Sequence, residues 1–341
     1  MTARILAGEP SVRLEISGQS DVGECRRTAK RLAEGCRFHD GAVGKVCIVA
    51  TELANNVIRH AGGGEVLMQI LDDGTTRELE ILAIDRGPGM ADVERCLRDG
   101  YSTAGTPGTG LGAVARLSTL FDVFSLPGRG TVVLSRTRAA AEPSAGGRGW
   151  QFGAISVALA GEIECGDTWR IADHGTTLSV MVADGLGHGP PAALAAQAAA
   201  RAFRERPFDE PAKIMQNLHQ GLTSSRGAVA ACAHLQVAAK RVEYAGIGNI
   251  YGALVGKERS RGMVSYNGTL GVQAQRTRQF AYEWPLDEIV IMHSDGLSAR
   301  WNLSEHPGLI GHHPGIIAAV LYRDMARKRD DATVVVVRYN A

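Results

Sequence analysis

Long apolar runs, paired cysteines and a dominant sign of charge are what this chain lacks, and each absence removes a class of function. No stretch reads as long and apolar enough to span a bilayer, and the opening residues MTARILAGEPSVRLEIS hold no apolar segment of signal-peptide length. The cytoplasm is therefore the expected location. The six cysteines, at 25, 36, 47, 96, 165 and 232, form neither a CxxC pair nor a zinc-finger spacing, and read as scattered reduced thiols. Lys plus Arg number 37 against 36 Asp plus Glu, so no general attraction to nucleic acid or to an anionic membrane surface is expected. No internal repeat relates the halves. Glycine, by contrast, is plentiful: 42 residues, many beside acidic ones in short turns, where a missing side chain lets backbone approach a ligand. With 341 residues the chain can bury two separate cores.

Residues 139–149, AAEPSAGGRGW, are small, carry Pro and Gly and show no apolar period, which is the composition of a linker. Before it the pattern gives a strand near 12–17, helices near 21–35 and 40–60, strands near 65–71 and 78–84, a long Gly-rich loop, a helix near 110–119 and strands near 121–125 and 131–136. After it come strands near 152–160, 168–173 and 176–183, helices near 190–204 and 209–223, and several strands from 229 to 255. Strands near 280–284 and 287–293, a helix near 314–327 and a strand at 333–338 close the chain. Two different α+β sandwiches are the simplest architecture: residues 1–138, a linker at 139–149, and 150–341.

The helix containing VCIVATELANNVIRHA places Val43, Val46, Cys47, Ala50, Leu53, Ala54 and Val57 on one stripe. Glu52 and Asn56, one turn apart, project from nearly the opposite side; alone, such a pair is most simply a solvated face. Further on, the apolar strand LEILAI runs into Asp85-Arg86-Gly87-Pro88-Gly89, and DGYSTAGTPGTGLGAVARLS brings Gly108, Gly110 and Gly112 to the start of a helix. Glycine turns that open a helix offer free N–H groups and a favourable dipole to phosphate. Any one of these three signals is weak, but they occur in order and at workable separations.

On these motifs residues 10–138 resemble the GHKL ATPases, and within them the RsbT-like serine kinases of bacterial sigma-factor partner switching. The resemblance implies ATP with Mg²⁺ as ligand, Glu52 as general base and Asn56 as the magnesium-holding residue. It implies Asp85 on the adenine amino group, Gly87 and Gly89 beside the base, Gly110 and Gly112 under the phosphates, Thr131 of GRGT supporting the adenine contact, and 99–109 as the ATP lid. Histidine kinases share this fold but need a two-helix segment with a phospho-accepting His before it, and the few residues ahead of this motif include a strand.

After the linker, acidic residues recur at strand ends or beside glycine: Glu164-Cys165-Gly166-Asp167, Asp184-Gly185-Leu186-Gly187-His188, His293-Ser294-Asp295-Gly296 and Asp330-Asp331. The strands SVMVAD and EIVIMHSD carry apolar residues up to a carboxylate. A buried carboxylate costs several kcal/mol unless paired or coordinated, and several converging ones repel unless cations lie between them. All-oxygen donors suit Mg²⁺ or Mn²⁺. Two such ions about 4 Å apart would activate water and clamp a phosphoryl oxygen. A surface turn explains one Asp-Gly pair comfortably and four strand-end sites poorly.

Residues 150–341 resemble the metal-dependent PPM (type 2C) phosphatases in their compact SpoIIE- and RsbX-like branch. The fold class expected is therefore α+β, an N-terminal GHKL α/β sandwich followed by a PPM-type αββα sandwich. The resemblance makes Asp184 the catalytic ligand bridging two metals (Mn²⁺ or Mg²⁺), with the Gly185 carbonyl on one of them and Asp167, Asp295 and Asp330 completing the set. Asp331 falls outside it as a supporting residue, Asn249 of GIGN is structural, and His188 is either a proton donor or a loop-structuring residue. The Ala-rich 190–204 helix reads as close sheet packing, His312-His313 as solvated, and the 294–330 interval as too short for a large flap. The function expected is phosphoserine/phosphothreonine hydrolysis on a STAS-domain partner, with an ATP-binding domain of switch-kinase type and a homodimer as one assembly. The alternatives are a non-catalytic ATP-dependent binding or sensor module in the first half, or a sequestering anti-sigma factor.

Overall fold

The computed structural model of the chain describes residues 4–97, 110–139, 149–274 and 277–341. They gather into two compact units, one of Ser11–Ala145 with Gly311–Val320, the other of Met1–Pro10, Gly146–Ile310 and Leu321–Ala341. Composition marks a cut near 139–149; the units differ from that cut in where residues 1–10 and 311–320 are grouped. Residues 140–148 of the linker lie outside the described residues.

The first strand, β1 (Arg4–Gly8), belongs to the later unit. The earlier unit begins with β2 (Val12–Ile16), α1 (Gln19–Gly35) and α2 (Asp40–Asn56), whose end relaxes into a π-helical turn, Val57–Ala61. Then come β3 (Gly64–Asp72), β4 (Arg77–Asp85), α3 (Val93–Leu97), α4 (Gly110–Leu117), β5 (Leu120–Ser125) and β6 (Thr131–Arg138). The strands form an antiparallel sheet in the order β2-β3-β4-β6-β5. Local chemistry sets the helix starts: Asp21 Oδ2 accepts from the N–H groups of Ser17 and Gly18 at 2.8 and 2.9 Å, and His39 Nδ1 caps α2 by accepting from Ala42 N at 3.2 Å. The apolar stripe of α2 (Val46, Val49, Ala50, Leu53) packs with Cys25 and Ala29 of α1 onto Val66, Met68, Ile81 and Ala83, every second residue of β3 and β4. A fully buried Leu53 contributes roughly 1.5–3 kcal/mol. Residues Asp40–Ala61 do meet the length and hydropathy measure for a membrane-crossing helix, against the expectation from sequence. Here that helix is half-buried and its apolar stripe covers a sheet. Within the stretch expected to be loop, α3 forms because Asp92 Oδ1 accepts from Arg95 N at 2.9 Å.

The later unit continues with β7 (Gly149–Val157), β8 (Asp167–His174), β9 (Thr177–Gly185), α5 (Pro190–Glu205), α6 (Pro211–Gly221), β10 (Ala228–Gln236), β11 (Arg241–Ile247) and β12 (Tyr251–Val255). Short strands β13 (Ser260–Met263), β14 (Ser265–Tyr266), β15 (Gly268–Thr269), β16 (Gln273–Ala274) and β17 (Phe280–Glu283) follow, then β18 (Ile289–His293), α7 (Pro314–Met325), which starts in the stretch grouped with the earlier unit, and β19 (Ala332–Asn340). One sheet runs β11-β10-β9-β8 with β1 added antiparallel to β8, Ile5 opposite Ala172. The other runs β13-β12-β18-β19-β7. The alanines of α5 do pack closely on the first sheet: Ala195, Ala199 and Phe203 cluster with Ala172, Met181 and Ala183. The opposite face of β9 (Val180, Val182, Asp184) looks away from those helices by strand alternation. The chain is thus a GHKL-like α/β sandwich followed by a type 2C phosphatase-like sandwich.

Candidate active sites

In the earlier unit the sequence motifs meet at the open end of α2. Glu52 and Asn56 leave the packed stripe together, and a Cβ placed on Gly110 would lie 3.2 Å from Glu52 Oε2 and 3.5 Å from Asn56 Oδ1. The start of α4 therefore lies beside both polar groups, and a side chain at residue 110 would crowd Glu52. Asn56 Nδ2 is buried without a protein acceptor, which fits a ligand oxygen there. Asp85 ends β4, and its Oδ1 accepts from Gly87 N at 2.8 Å and Thr131 N at 3.1 Å. Gly130, at φ +79°, brings its turn so close that a Cβ would stand 2.1 Å from the Asp85 carbonyl. Thr131 Oγ1 is bonded to Ser125 Oγ at 2.9 Å, so Thr131 supports Asp85 through its backbone. Gly89 lies in the turn closed by Gly128 N donating to Pro88 O at 2.7 Å. Gly112 is buried in α4. Gly108 and the lid residues 99–109 lie outside the described residues.

In the later unit Asp167 and Asp184 stand directly opposite each other on β8 and β9. Directly opposed like charges destabilise a sheet, and here one of them is 3 % exposed. Ser294 Oγ donates to Asp167 Oδ2 at 2.6 Å, while Asp167 Oδ1 is buried with no partner. Burial and the neighbouring carboxylates push the Asp167 carboxyl above its ordinary range. Asp184 is raised by burial and then by Asp167, Asp295, Asp330 and Asp331, so its carboxyl feels each of the other acidic residues. Asp295 follows β18 and Asp330 precedes β19, adjacent strands of the facing sheet. Gly185 is held by its N–H to Gly166 O at 2.9 Å, and a Cβ on it would stand 2.2 Å from Ala192 O, so only glycine admits α5 this close. Among the described residues no group of three or more His, Cys, Asp or Glu side chains is already gathered as a metal-holding set. The residues nonetheless fit divalent cations: hard oxygen donors, an orphaned buried Oδ1 and mutual repulsion that cations relieve.

Other residues support the carboxylates, some singled out in the sequence (Asp331, Asn249 and His188) and some, the hydroxyls, carrying little or no signal there. Asp331 accepts from Leu159 N and Gly166 N, each at 2.7 Å, and so fastens the loop that delivers Asp167. Ser294 Oγ also accepts from Thr333 N at 3.0 Å, and Thr333 Oγ1 bonds Ser156 Oγ at 2.8 Å, a buried relay among three strands. Asn249 Nδ2 donates to Asp295 Oδ2 at 2.7 Å, which places the GIGN asparagine beside a candidate ligand. His188 Nδ1 is 2.7 Å from Glu162 Oε1, a contact that structures the loop. His312 and His313, expected to be solvated, instead both engage Asp122, at 2.9 Å from Nδ1 and 2.7 Å from the His313 N–H.

Two enzyme folds thus share the chain: a histidine kinase-like nucleotide-binding sandwich and a type 2C phosphatase sandwich. Residues 17–136 match the family described as Histidine kinase-like ATPase domain, and residues 174–340 that described as Stage II sporulation protein E (SpoIIE). The chain is 31% identical over 120 residues to the serine/threonine-protein kinase RsbT of Bacillus subtilis (strain 168), an alignment covering 35% of this chain and 90% of RsbT. A solved structure described under the bacterial stressosome, a modular system adapted to control secondary messenger signaling, superposes at TM-score 0.52 with 25% identity, over 55% of this chain and 99% of that one. RsbX in complex with magnesium superposes at TM-score 0.49 with 20% identity, over 57% of this chain and 97% of that one. The chain belongs to the histidine kinase-like ATPase family through its RsbT-related first half, joined to a SpoIIE-family phosphatase domain.

Proposed function

We propose that the later half hydrolyses phosphoserine or phosphothreonine on a protein partner, using two Mn²⁺ or Mg²⁺ ions. The earlier half, on this reading, binds ATP with Mg²⁺ and phosphorylates the same partner or a related one. The observation that carries the phosphatase assignment is the opposed pair Asp167 and Asp184, one with a buried, unpartnered oxygen. Asp184, the Gly185 carbonyl, Asp295, Asp330 and Asp167 would hold the ions, which supply Lewis-acid activation of water and of the phosphoryl oxygen. In the overall reaction the water oxygen bonds to phosphorus, the P–O bond to the seryl oxygen breaks, and that oxygen takes up a proton. Asp331, Ser294 and Asn249 fix the carboxylates in place. In the kinase-like half Glu52 would accept the proton of the attacking seryl hydroxyl, Asn56 would hold the phosphate-bound ion, and Asp85 would take the adenine amino group.

The relationship to RsbT supports a partner of the STAS type in a cytoplasmic sigma-factor switch. Opposed activities on one chain would let ATP level or a third protein set the partner's phosphorylation state. The test is hydrolysis of a phosphoserine peptide by wild type and Asp184→Asn with Mn²⁺ present: wild type turns over and the variant does not. Activity that survives in the variant removes the two-metal assignment. For the first half, label transfer from γ-labelled ATP to a STAS protein should be lost in Glu52→Ala. No transfer by wild type, with ATP still bound, would instead make this half a binding module.

A further inference from the structure

The division between the two units falls inside a helix. α7 is one element, Pro314–Met325, yet Gly311–Val320 groups with the earlier unit and Leu321–Ala341 with the later one. A helix keeps its rise of about 1.5 Å per residue through unbroken backbone bonds, so a shift at one end is carried to the other. What each end is fastened to decides what such a shift would do.

The leading end is clasped by the nucleotide-binding sheet. His312 Nδ1 lies 2.9 Å from Asp122 Oδ1, and the His313 N–H donates to Asp122 Oδ2 at 2.7 Å. Leu134 stands directly opposite Asp122 in the β5–β6 register, and its Cδ2 is 3.1 Å from where a Cβ on Gly315 would lie. Three residues along the same strand pair, Ser125 faces Thr131. Those two residues hold the turn proposed to take adenine: Ser125 Oγ accepts from Met90 N at 2.7 Å, and Thr131 N donates to Asp85 Oδ1 at 3.1 Å. A ligand on Asp85 therefore bears on the strand pair that grips residues 312–315.

The trailing end is fastened beside the proposed metal ligands. Met325 O accepts from Ser298 N at 2.9 Å, Leu297 bridges to Ala326, and Arg327 N donates to Gly296 O at 2.8 Å. Asp295 is the residue before Gly296, and Asp330 follows Arg327 by three. Gly296 leaves no room for a Cβ beside Asp331 O, so the turns that carry these two carboxylates touch. Two of the four proposed ligands thus hang on the end of α7.

Resting on the nucleotide and phosphatase readings above, we propose that α7 couples the two sites. Nucleotide at Asp85 orders the β5–β6 pair and, through α7, the Asp295 and Asp330 turns, so the later half takes up its cations more tightly. Order supplied by the first ligand need not be supplied by the second, which makes the effect positive and reciprocal. The competing role is that of a core helix, with each site working alone.

Asp122→Ala removes both bonds at the leading end, and His312→Ala removes one while the His313 N–H stays in place. The experiment reads the free Mn²⁺ concentration for half-maximal hydrolysis of p-nitrophenyl phosphate, held by a metal buffer, with and without a saturating non-hydrolysable ATP analogue. Amide hydrogen exchange at Ser298 and Arg327 is followed in the same states. In wild type the analogue should lower the Mn²⁺ midpoint at least about fivefold and slow exchange at both amides. Asp122→Ala should still bind the analogue and reach wild-type maximal hydrolysis, with a midpoint shift within about twofold and exchange unmoved; His312→Ala should fall between. A wild type that binds the analogue with midpoint and exchange unaltered, a midpoint that rises, or a folded Asp122→Ala with the full wild-type response would each overturn the coupling and leave the phosphatase reading standing. Should Asp122→Ala not fold, the full response in His312→Ala overturns it. Slowed exchange in a wild type without Mn²⁺-dependent hydrolysis would keep the coupling and remove the phosphatase reading. A wild type that does not bind the analogue would overturn the coupling together with the nucleotide reading.

Discussion

Ser294 Oγ donates to Asp167 Oδ2 across 2.6 Å of buried space, and Thr333 N holds that hydroxyl from behind at 3.0 Å. Oδ2 is thereby locked, and Oδ1 is left buried with no protein partner. A carboxylate arranged in this way has one oxygen assigned to structure and one reserved for a ligand. It stands opposite Asp184, so the reserved oxygen belongs to the site where repulsion is already greatest. The serine comes from the end of β18 and the threonine from β19, so the strand pair that delivers Asp295 also orients Asp167.

Ser294→Ala should therefore weaken metal binding before it unfolds the protein. Losing a buried bond to a charged group costs about 1–3 kcal/mol, and support of this kind is typically worth tenfold to a hundredfold in metal affinity. Isothermal titration with Mn²⁺ reads the affinity and tryptophan fluorescence in urea the stability, since Trp169 lies two residues from Asp167. Unaltered Mn²⁺ affinity in a folded variant would remove Ser294 from this role.

Asp331 predicts a different phenotype from Asp184, although both are aspartates of the same site. Its two oxygens are occupied by the N–H groups of Leu159 and Gly166 at 2.7 Å. Asp331→Asn retains one acceptor and should lower activity in a way that excess Mn²⁺ restores in large part, because the ligand set is intact and only its placement has loosened. Asp184→Asn should resist rescue at any concentration. Activity measured against Mn²⁺ concentration separates the two; equal rescue of both would contradict the assignment of Asp184 as bridging ligand.

The nucleotide site offers a steric test. Gly130 at φ +79° would place a Cβ 2.1 Å from the Asp85 carbonyl. Gly130→Ala must therefore move the turn that carries Thr131 N away from Asp85 Oδ1, at a cost of order 1–3 kcal/mol for the backbone alone. ATP binding, followed with a fluorescent analogue, should fall at least about tenfold while Mn²⁺-dependent phosphatase activity is retained. Wild-type ATP affinity would show that the Asp85 turn does not shape the adenine site.

Much of this was legible in the sequence, for physical reasons that also explain what was not. Helix and strand positions follow from the apolar pattern: the run Val66–Leu71 within Gly64–Asp72 is buried throughout, and the stripe of Asp40–Asn56 is buried as its period requires. Asp-Gly and Gly-x-Gly at strand and helix ends announce close approach, and Glu52, Asn56 and Gly110 do come together. Hydroxyls carry no such mark, so the Ser156, Thr333 and Ser294 relay could be found only once three strands were aligned. The strand Arg4–Gly8 is too short to show a period, and it forms because β8 offers it an edge. His312 and His313 sit in a Gly/Pro context that usually means exposure; their partner Asp122 is 190 residues away from His312 in sequence, beyond any local rule.

That last contact gives the earlier unit a defined acid sensitivity. Burial pushes the Asp122 carboxyl up, but the His312 ring and the His313 N–H more than offset it, and the carboxyl is held below its ordinary value. A carboxyl lowered on folding contributes stability that is present above its unfolded pKa, near 3.8, and is lost as pH falls through the folded value. Comparing wild type with Asp122→Asn should therefore show a stability difference of about 1–2 kcal/mol at pH 6 that holds down to about pH 4 and shrinks as the pH falls further. All four tryptophans (150, 169, 284 and 301) belong to the other unit, so calorimetry or amide exchange of β5 and β6 is the measurement that reports it. A difference that grows as the pH is lowered would reverse the sign and show that Asp122 gains nothing from the two histidines.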